Sequence, residues 1–129
     1  MVGEKTIEFL LPWPPSVNHY YRHVGPRVLI SRKGRDYRES IAVIPVIRAI
    51  TAPLTGRLSV YILAYPPDRR RRDLDNILKC LLDSLQHAGI YEDDCQVDVL
   101  VVVRKDPAKP GRLSVRISEG IERASKKGK

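Results

Sequence analysis

Residues 73–90 read DLDNILKCLLDSLQHAGI. Leu74, Ile77, Leu78, Leu81, Leu82, Leu85 and Ala88 fall at i, i+3, i+4, i+7, i+8, i+11 and i+14, which lays one apolar stripe along a helix over 74–88. Asp73 stands at the N-cap position, and Gly89 followed by Ile90 is a C-terminal stop with its apolar contact. A helix with one apolar stripe must bury it against a second layer.

The flanking sequence supplies that layer. Upstream, residues 57–65 (RLSVYILAY) form a strand closed by Pro66 and Pro67. Downstream, after a turn over 91–94, residues 97–103 are nearly all valine, the composition of a central strand. A turn over 107–111 leads to alternating Leu113, Val115 and Ile117, a last strand antiparallel to the previous one. At the N-terminus, KTIEFLL over 5–11 is a strand ended by PWPPS over 12–16. A loop or ribbon with Asn18, His19, Tyr20, Tyr21, Arg22 and His23 follows, then a short strand over 27–31. Tyr37, Ile41, Ile44 and Ile47 predict a helix over 33–50, bent at Pro45, with Arg35 and Arg38 on its polar side. The order β-(β)-α-β-α-β-β makes an α+β fold, a mixed β-sheet with two main helices in a single domain. That domain spans 1–122, and 123–129 is a basic flexible tail.

A chain of 129 residues is one domain and can bury roughly two-thirds of its unfolded surface. With 43% hydrophobic and 29% charged residues it is globular rather than disordered. No apolar run approaches the ~20 residues that span a bilayer, and the opening MVGEK is not a signal peptide. Cys80 and Cys95 match no CxxC or disulfide framework, read as small buried residues, and place the chain in the reducing cytoplasm. His19, His23 and His87 lack metal-ligand spacing. Tyr20 and Tyr21 are expected to pack over the neighbouring prolines, and Trp13 belongs to the core or to a dimer interface.

Charge is unevenly placed. Residues 68–98 hold eight acids and five bases, a net of −3, while the other 98 residues carry 18 bases and 7 acids, a net of +11. A basic body suits a polyanion, nucleic acid first, because each neutralised phosphate releases counterions. Acids within such a body repel the same phosphates and need their own explanation.

Asp73 and Asp75 flank the first helical turn, Lys79 lies one turn past Asp75, and all three point away from the leucine stripe. The structural alternative is that helix-dipole and cap preferences explain the acids and that Asp75–Lys79 is a surface pair. The four arginines 69–72 just before them favour an anion between them. Phosphodiester hydrolysis supplies both needs. Mg²⁺, with Mn²⁺ as the alternative ion, takes oxygen ligands from carboxylates, phosphate and water, and it polarises the phosphoryl oxygen. Lys79 would then neutralise charge on the reacting oxygens. A third carboxylate, Asp93 or Asp94, reaches Asp73 only with difficulty in one chain. The helix is about 22 Å long, and the six residues after it climb back at most about 20 Å fully extended. A two-fold partner could supply it instead, so a metal site completed across a homodimer stands as a hypothesis beside one held within a single chain.

At this point the chain resembles the RusA family of Holliday junction resolvases. The resemblance rests on LPWPPSVNHYYRH (11–23), PDRRRRDLDN (67–76), EDDCQV (92–97) and GRLSVRISE (111–119), in that order. It implies a RusA-like fold and a Mg²⁺-dependent endonuclease that acts as a homodimer and places paired nicks in four-way junction DNA. The family's essential aspartates fall on Asp73, Asp75 and Asp94, and its lysine on Lys79. Expected DNA contacts are Arg69, Arg70, Arg71, Arg72, Asn76, Arg22, Arg27, Lys33, Arg35 and Arg38. A cytoplasmic, nucleoid-associated protein with no membrane partner follows. Rival readings are a branched-DNA-binding protein that does not cut, which leaves the aspartates unexplained, and an RNA-binding protein, which lacks any matching signature.

Overall fold

The structure, a computed structural model, describes residues 5–120. The expected tail at 123–129 lies outside the described residues. Elements run β1 (Lys5–Pro12), α1 (Val17–Tyr20), β2 (Tyr21–Val24), β3 (Arg27–Ile30), α2 (Arg32–Ala42), α3 (Pro45–Arg48), β4 (Leu58–Tyr65), α4 (Leu78–His87), β5 (Val97–Arg104) and β6 (Arg112–Glu119). One-turn 3₁₀ segments, Leu74–Ile77 and Asp94–Gln96, precede α4 and β5. Four strands make a mixed sheet in the order β1-β6-β4-β5, and β2-β3 form a separate hairpin. The expected α+β architecture is the one observed.

The period-two alternation sends Phe9 and Leu11, Leu58, Val60, Ile62 and Ala64, and Leu113, Val115 and Ile117 to one face, where all are buried. Tyr37 and Ile41 of α2 and Leu81 and Leu85 of α4 join them in one core. The opposite face carries no helix among the described residues, and Leu10 and Leu63 stand exposed on it.

The decisive helix is present but starts differently. Leu74–Ile77 winds as 3₁₀, and Asp73 caps it with extended backbone but without a side-chain hydrogen bond. Its other end is as expected. Gly89 takes φ +87°, its N–H donates to the Gln86 carbonyl (3.0 Å), and the Ile90 N–H donates to the Leu85 carbonyl (3.2 Å). That pair of bonds is a Schellman stop, which requires the left-handed residue that glycine supplies.

Three expectations need correction. The helix over 33–50 is not bent but divided: α2 stops at Ala42, Ile44 turns extended, and Pro45 opens α3 at its first position. A residue before proline is pushed out of the helical region, and proline is welcome at N1. The valine strand β5 is an edge, not the centre, because β4 pairs with it on one side only and β6 takes β4's other side. β6 therefore runs opposite to β5 without pairing with it; its partners are β1 and β4. Finally, Cys80 is buried as expected but Cys95 is exposed.

Polar bonds lock α1, α2 and α4 together. The Tyr20 hydroxyl donates to the Asp83 carboxylate, Arg38 pairs with the same carboxylate at 2.6 Å, and Arg38 Nε donates to the Tyr20 oxygen at 2.9 Å. Gly34 makes the approach feasible, since a Cβ there would lie 2.7 Å from the Tyr20 carbonyl oxygen. Burial pushes the Asp83 carboxyl up, but the Tyr20 and Arg38 hydrogen bonds outweigh it and hold the group below its ordinary value. Burial together with the bond to Asp83 raises Tyr20 to about 12. Asp83→Ala is expected to cost about 2 kcal/mol, measured by urea unfolding, because it strands a half-buried guanidinium and phenol. A carboxyl depressed by folding stabilises above the ordinary carboxylate range and loses that effect as pH falls through its folded value. The wild-type advantage over Asp83→Ala should thus be full at neutral pH and shrink below about pH 4.

Candidate nucleic-acid and metal site

Part of the candidate set, the arginines 69–72 with Asp73 and Asn76, follows the end of β4. β4 and β5 are parallel, so their carboxyl ends open on the same side of the sheet, the usual place for a ligand crevice. The chain leaving β4 runs through the arginines into α4. There Asp73, Arg71, Arg72, Asn76 and Ile77 meet Trp13, Pro14, Ser16 and His19 around a cleft of about 530 Å³. Asp73, Asp75 and Lys79 are exposed, and none forms an ion pair among the described residues. The alternative surface pair Asp75–Lys79 is thus not made. Asp73 lines the cleft and Asp75, two residues on, does not; exposed carboxylates outside ion pairs are the donors a hard cation would use.

The four arginines are not equivalent. Asp68 is an anion the sequence reading did not pair with them: it accepts from Arg72 at 2.6 Å and lies 3.7 Å from Arg70. The Arg72 hydrogen bond, helped by the Arg70 backbone N–H, holds the Asp68 carboxyl down at about 2. Arg72 is therefore a local strut, while Arg69, Arg70 and Arg71 remain exposed. Asn76 lines the cleft with Asp73. Arg22 and Arg27 stand exposed on the β2-β3 hairpin, and Lys33 and Arg35 on the first turn of α2, where Arg35 also donates to the Ile30 carbonyl at 2.9 Å. Arg38, expected on a polar surface, instead faces Asp83 with 20% of its side chain exposed.

Asp94 is not with the other two aspartates. Its backbone N–H donates to Gln86 Oε1 at 3.1 Å, at the far end of α4. Asp75 precedes Gln86 by eleven residues, roughly 17 Å along a helix. The turn carrying Asp94 is firmly built. Gln96 Oε1 accepts from the N–H groups of Glu92 and Asp93, and its amide donates to the carbonyls of Leu54 and Gly56. No three acids, histidines or cysteines are grouped to hold a metal ion among the described residues. Within one chain Asp94 thus lies apart from Asp73 and Asp75, which are two residues apart in sequence.

Four residues outside the expected site set border it. His19 reaches the cleft, its Nδ1 3.1 Å from Ser16 Oγ, and Trp13 lines it while also packing on the core. Arg104 and Lys105 border a second recess with Arg69 and Arg70, and Arg104 donates to the Arg72 carbonyl at 2.8 Å. The signal for Arg104 was the shared carboxyl end of two parallel strands, which becomes readable once β4 and β5 are known to be neighbours.

The profile of the family described as Endodeoxyribonuclease RusA matches residues 12–118. The chain belongs to the RusA family. Among its relatives is the crossover junction endodeoxyribonuclease rusA of Enterobacteria phage HK97, 47% identical over 114 residues that cover 87% of this chain and 93% of the relative. The crossover junction endodeoxyribonuclease rusA of Enterobacteria phage 82 is 43% identical over 114 residues, with 88% and 95% covered. The RusA of Escherichia coli strain K12 is 42% identical over the same length, with 88% and 95% covered. The RusA match takes in the cleft, the arginine run and the Asp94 turn together. No helix among the described residues is long and apolar enough to cross a membrane.

Proposed function

We propose that this chain is a Mg²⁺-dependent endodeoxyribonuclease that resolves four-way DNA junctions by paired symmetric nicks, working as a homodimer in the cytoplasm at the nucleoid. The observation that carries the reading is the exposed carboxylate of Asp73 in a cleft it shares with Arg71, Arg72 and Asn76, with exposed Asp75 two residues on and neither aspartate in an ion pair among the described residues. Their oxygen donors suit Mg²⁺ or Mn²⁺. Asp73 and Asp75 would hold the ion, with Asp94 of the partner subunit as third ligand. When bound, the ion would polarise the scissile phosphoryl group and activate water.

The remaining roles fall to the protein's own groups. Arg69, Arg70 and Arg71 grip the phosphates on either side of the cut, and Asn76 fixes the strand within the cleft. Lys79, one turn beyond Asp75, faces solvent on the side the backbone approaches and offsets charge on the departing oxygen. Arg22, Arg27, Lys33 and Arg35 extend the phosphate track over the hairpin and α2. Contacts of this kind position DNA without reading its sequence, so selectivity comes from junction shape and ease of distortion.

The test is nicking of a mobile four-way junction with and without Mg²⁺, beside a linear duplex of the same sequence. Metal-dependent cleavage of the junction alone is expected. Binding without cleavage would install the non-cutting rival instead. Joint replacement of Arg69, Arg70 and Arg71 by alanine should weaken junction binding and flatten the slope of log K against log salt by up to about 0.9 per lost phosphate contact. An unchanged slope would place these arginines off the DNA.

A further inference from the structure

The arginine run is divided between two concavities. Arg71 and Arg72 line the cleft that holds Asp73. Arg69 and Arg70 instead border a recess of about 320 Å³, where Arg104, Lys105 and Asp106 reach them from the carboxyl end of β5. Arg70 and Arg71 are neighbours in the chain, so the two concavities adjoin. The recess is firmly built. The Lys105 N–H donates to the Ala64 carbonyl and the Ala108 N–H to the Pro66 carbonyl, both at 2.8 Å. Arg104 is tied to the Arg72 carbonyl at 2.8 Å, and Arg72 in turn to Asp68 at 2.6 Å. Walls fixed in advance lower the ordering cost of binding.

Four cations, Arg69, Arg70, Arg104 and Lys105, meet two carboxylates here, Asp68 and Asp106, a net of +2. Asp68 is already taken, accepting from Arg72 and lying 3.7 Å from Arg70. Arg69, Arg104, Lys105 and Asp106 are exposed, and none forms an ion pair among the described residues. Cations gathered around one concavity repel unless an anion lies among them. Guanidinium and ammonium donors together suit a phosphate. Distance then sets which phosphate. Arg70 precedes Asp73 by three residues, at most about 10 Å of extended chain, and one DNA strand advances about 3.4 Å along the axis per phosphate.

We propose that this recess is a second phosphate site, in which Arg69, Arg70, Arg104 and Lys105 hold a backbone phosphate of the cleaved strand within about three nucleotides of the cut. Holding that neighbour sets the register in which the scissile phosphate meets Asp73. The site rests on the reading of the chain as a junction nuclease, and it adds to that reading two residues from the end of β5.

The experiment is methylphosphonate interference on a four-way junction, with binding measured in EDTA. Each phosphate near the cut on the cleaved strand is made neutral in turn. Wild type should lose about five-fold in affinity at one such position. Lys105→Ala removes a side chain that makes no hydrogen bond or ion pair among the described residues. It should bind unmodified junction about five-fold more weakly, with the salt slope flattened by about 0.9. Adding Arg104→Ala should deepen the loss, with urea unfolding as the control because Arg104 also braces Arg72. Both variants should ignore the one methylphosphonate that hurts wild type and respond to the others as wild type does. Asp106→Asn should bind more tightly than wild type. Losses that add at every position, or an unchanged salt slope, would overturn the site. So would protection against urea by millimolar inorganic phosphate without any methylphosphonate effect, the mark of a free-anion site. Nicking in Mg²⁺ is followed in parallel. Interference at one position without cleavage removes only the nuclease reading, and cleavage without interference removes only the recess.

Discussion

Asp75→Asn is expected to slow single-turnover nicking of a four-way junction by roughly three orders of magnitude, about 4 kcal/mol in the barrier. Asp75 is exposed, sits on the first turn leading into α4 and forms no ion pair among the described residues. Amide for carboxylate keeps the shape and removes only the charge, so the fold should be untouched, with unchanged urea unfolding as the control. Affinity should move the other way. A negative side chain beside arginines that grip phosphate weakens binding when no cation screens it, so Asp75→Asn should bind junction DNA as tightly as wild type or more so in EDTA. Nicking at the wild-type rate would end the assignment of this carboxylate to the site. A parallel loss of binding and nicking would make Asp75 a structural residue.

How much of this was readable beforehand depended on how local each signal is. The leucine stripe, the Gly89 stop and the alternation of β1, β4 and β6 are set by residues within a turn or two of one another, and they appear as expected. The break at Pro45 was also a local signal, since Ile44 before a proline disfavours helix. The 3₁₀ start of the main helix was harder, because the spacing from Leu74 to Ile77 suits either winding. Strand order was not legible. A valine run says that both faces will be covered, but not whether the cover is the chain itself or something docking on it. The same holds for the polar residues. Arg38 finds Asp83 across 45 positions and Arg57 finds Asp98 across 41, distances at which no periodicity speaks. The chemistry of RRRRDLDN was visible in its residue types. The gap between Asp75 and Asp94 was visible as a length mismatch, and only the hydrogen bond from Asp94 to Gln86 shows which end of α4 that turn occupies.

That gap yields the most discriminating result expected. Asp75→Asn and Asp94→Asn should each be inactive alone, yet refolding the two chains together should bring nicking back. If Asp73 and Asp75 of one subunit work with Asp94 of the other, a mixed dimer has one site carrying both substitutions and one carrying neither. Random pairing makes about half of the dimers mixed, each with one good site of two, so total nicking should return to about a quarter of wild type. Each mixed dimer should cut one strand of the junction and leave the opposite strand whole, visible as nicked four-way DNA rather than paired duplex products. A site contained within one chain predicts the contrary, because every site in every dimer would then carry one substitution and the mixture would stay silent. Separation of Asp94 from Asp75 by most of the length of α4 favours recovery, since neither end of a helix packed into the core by Leu81 and Leu85 can travel to the other.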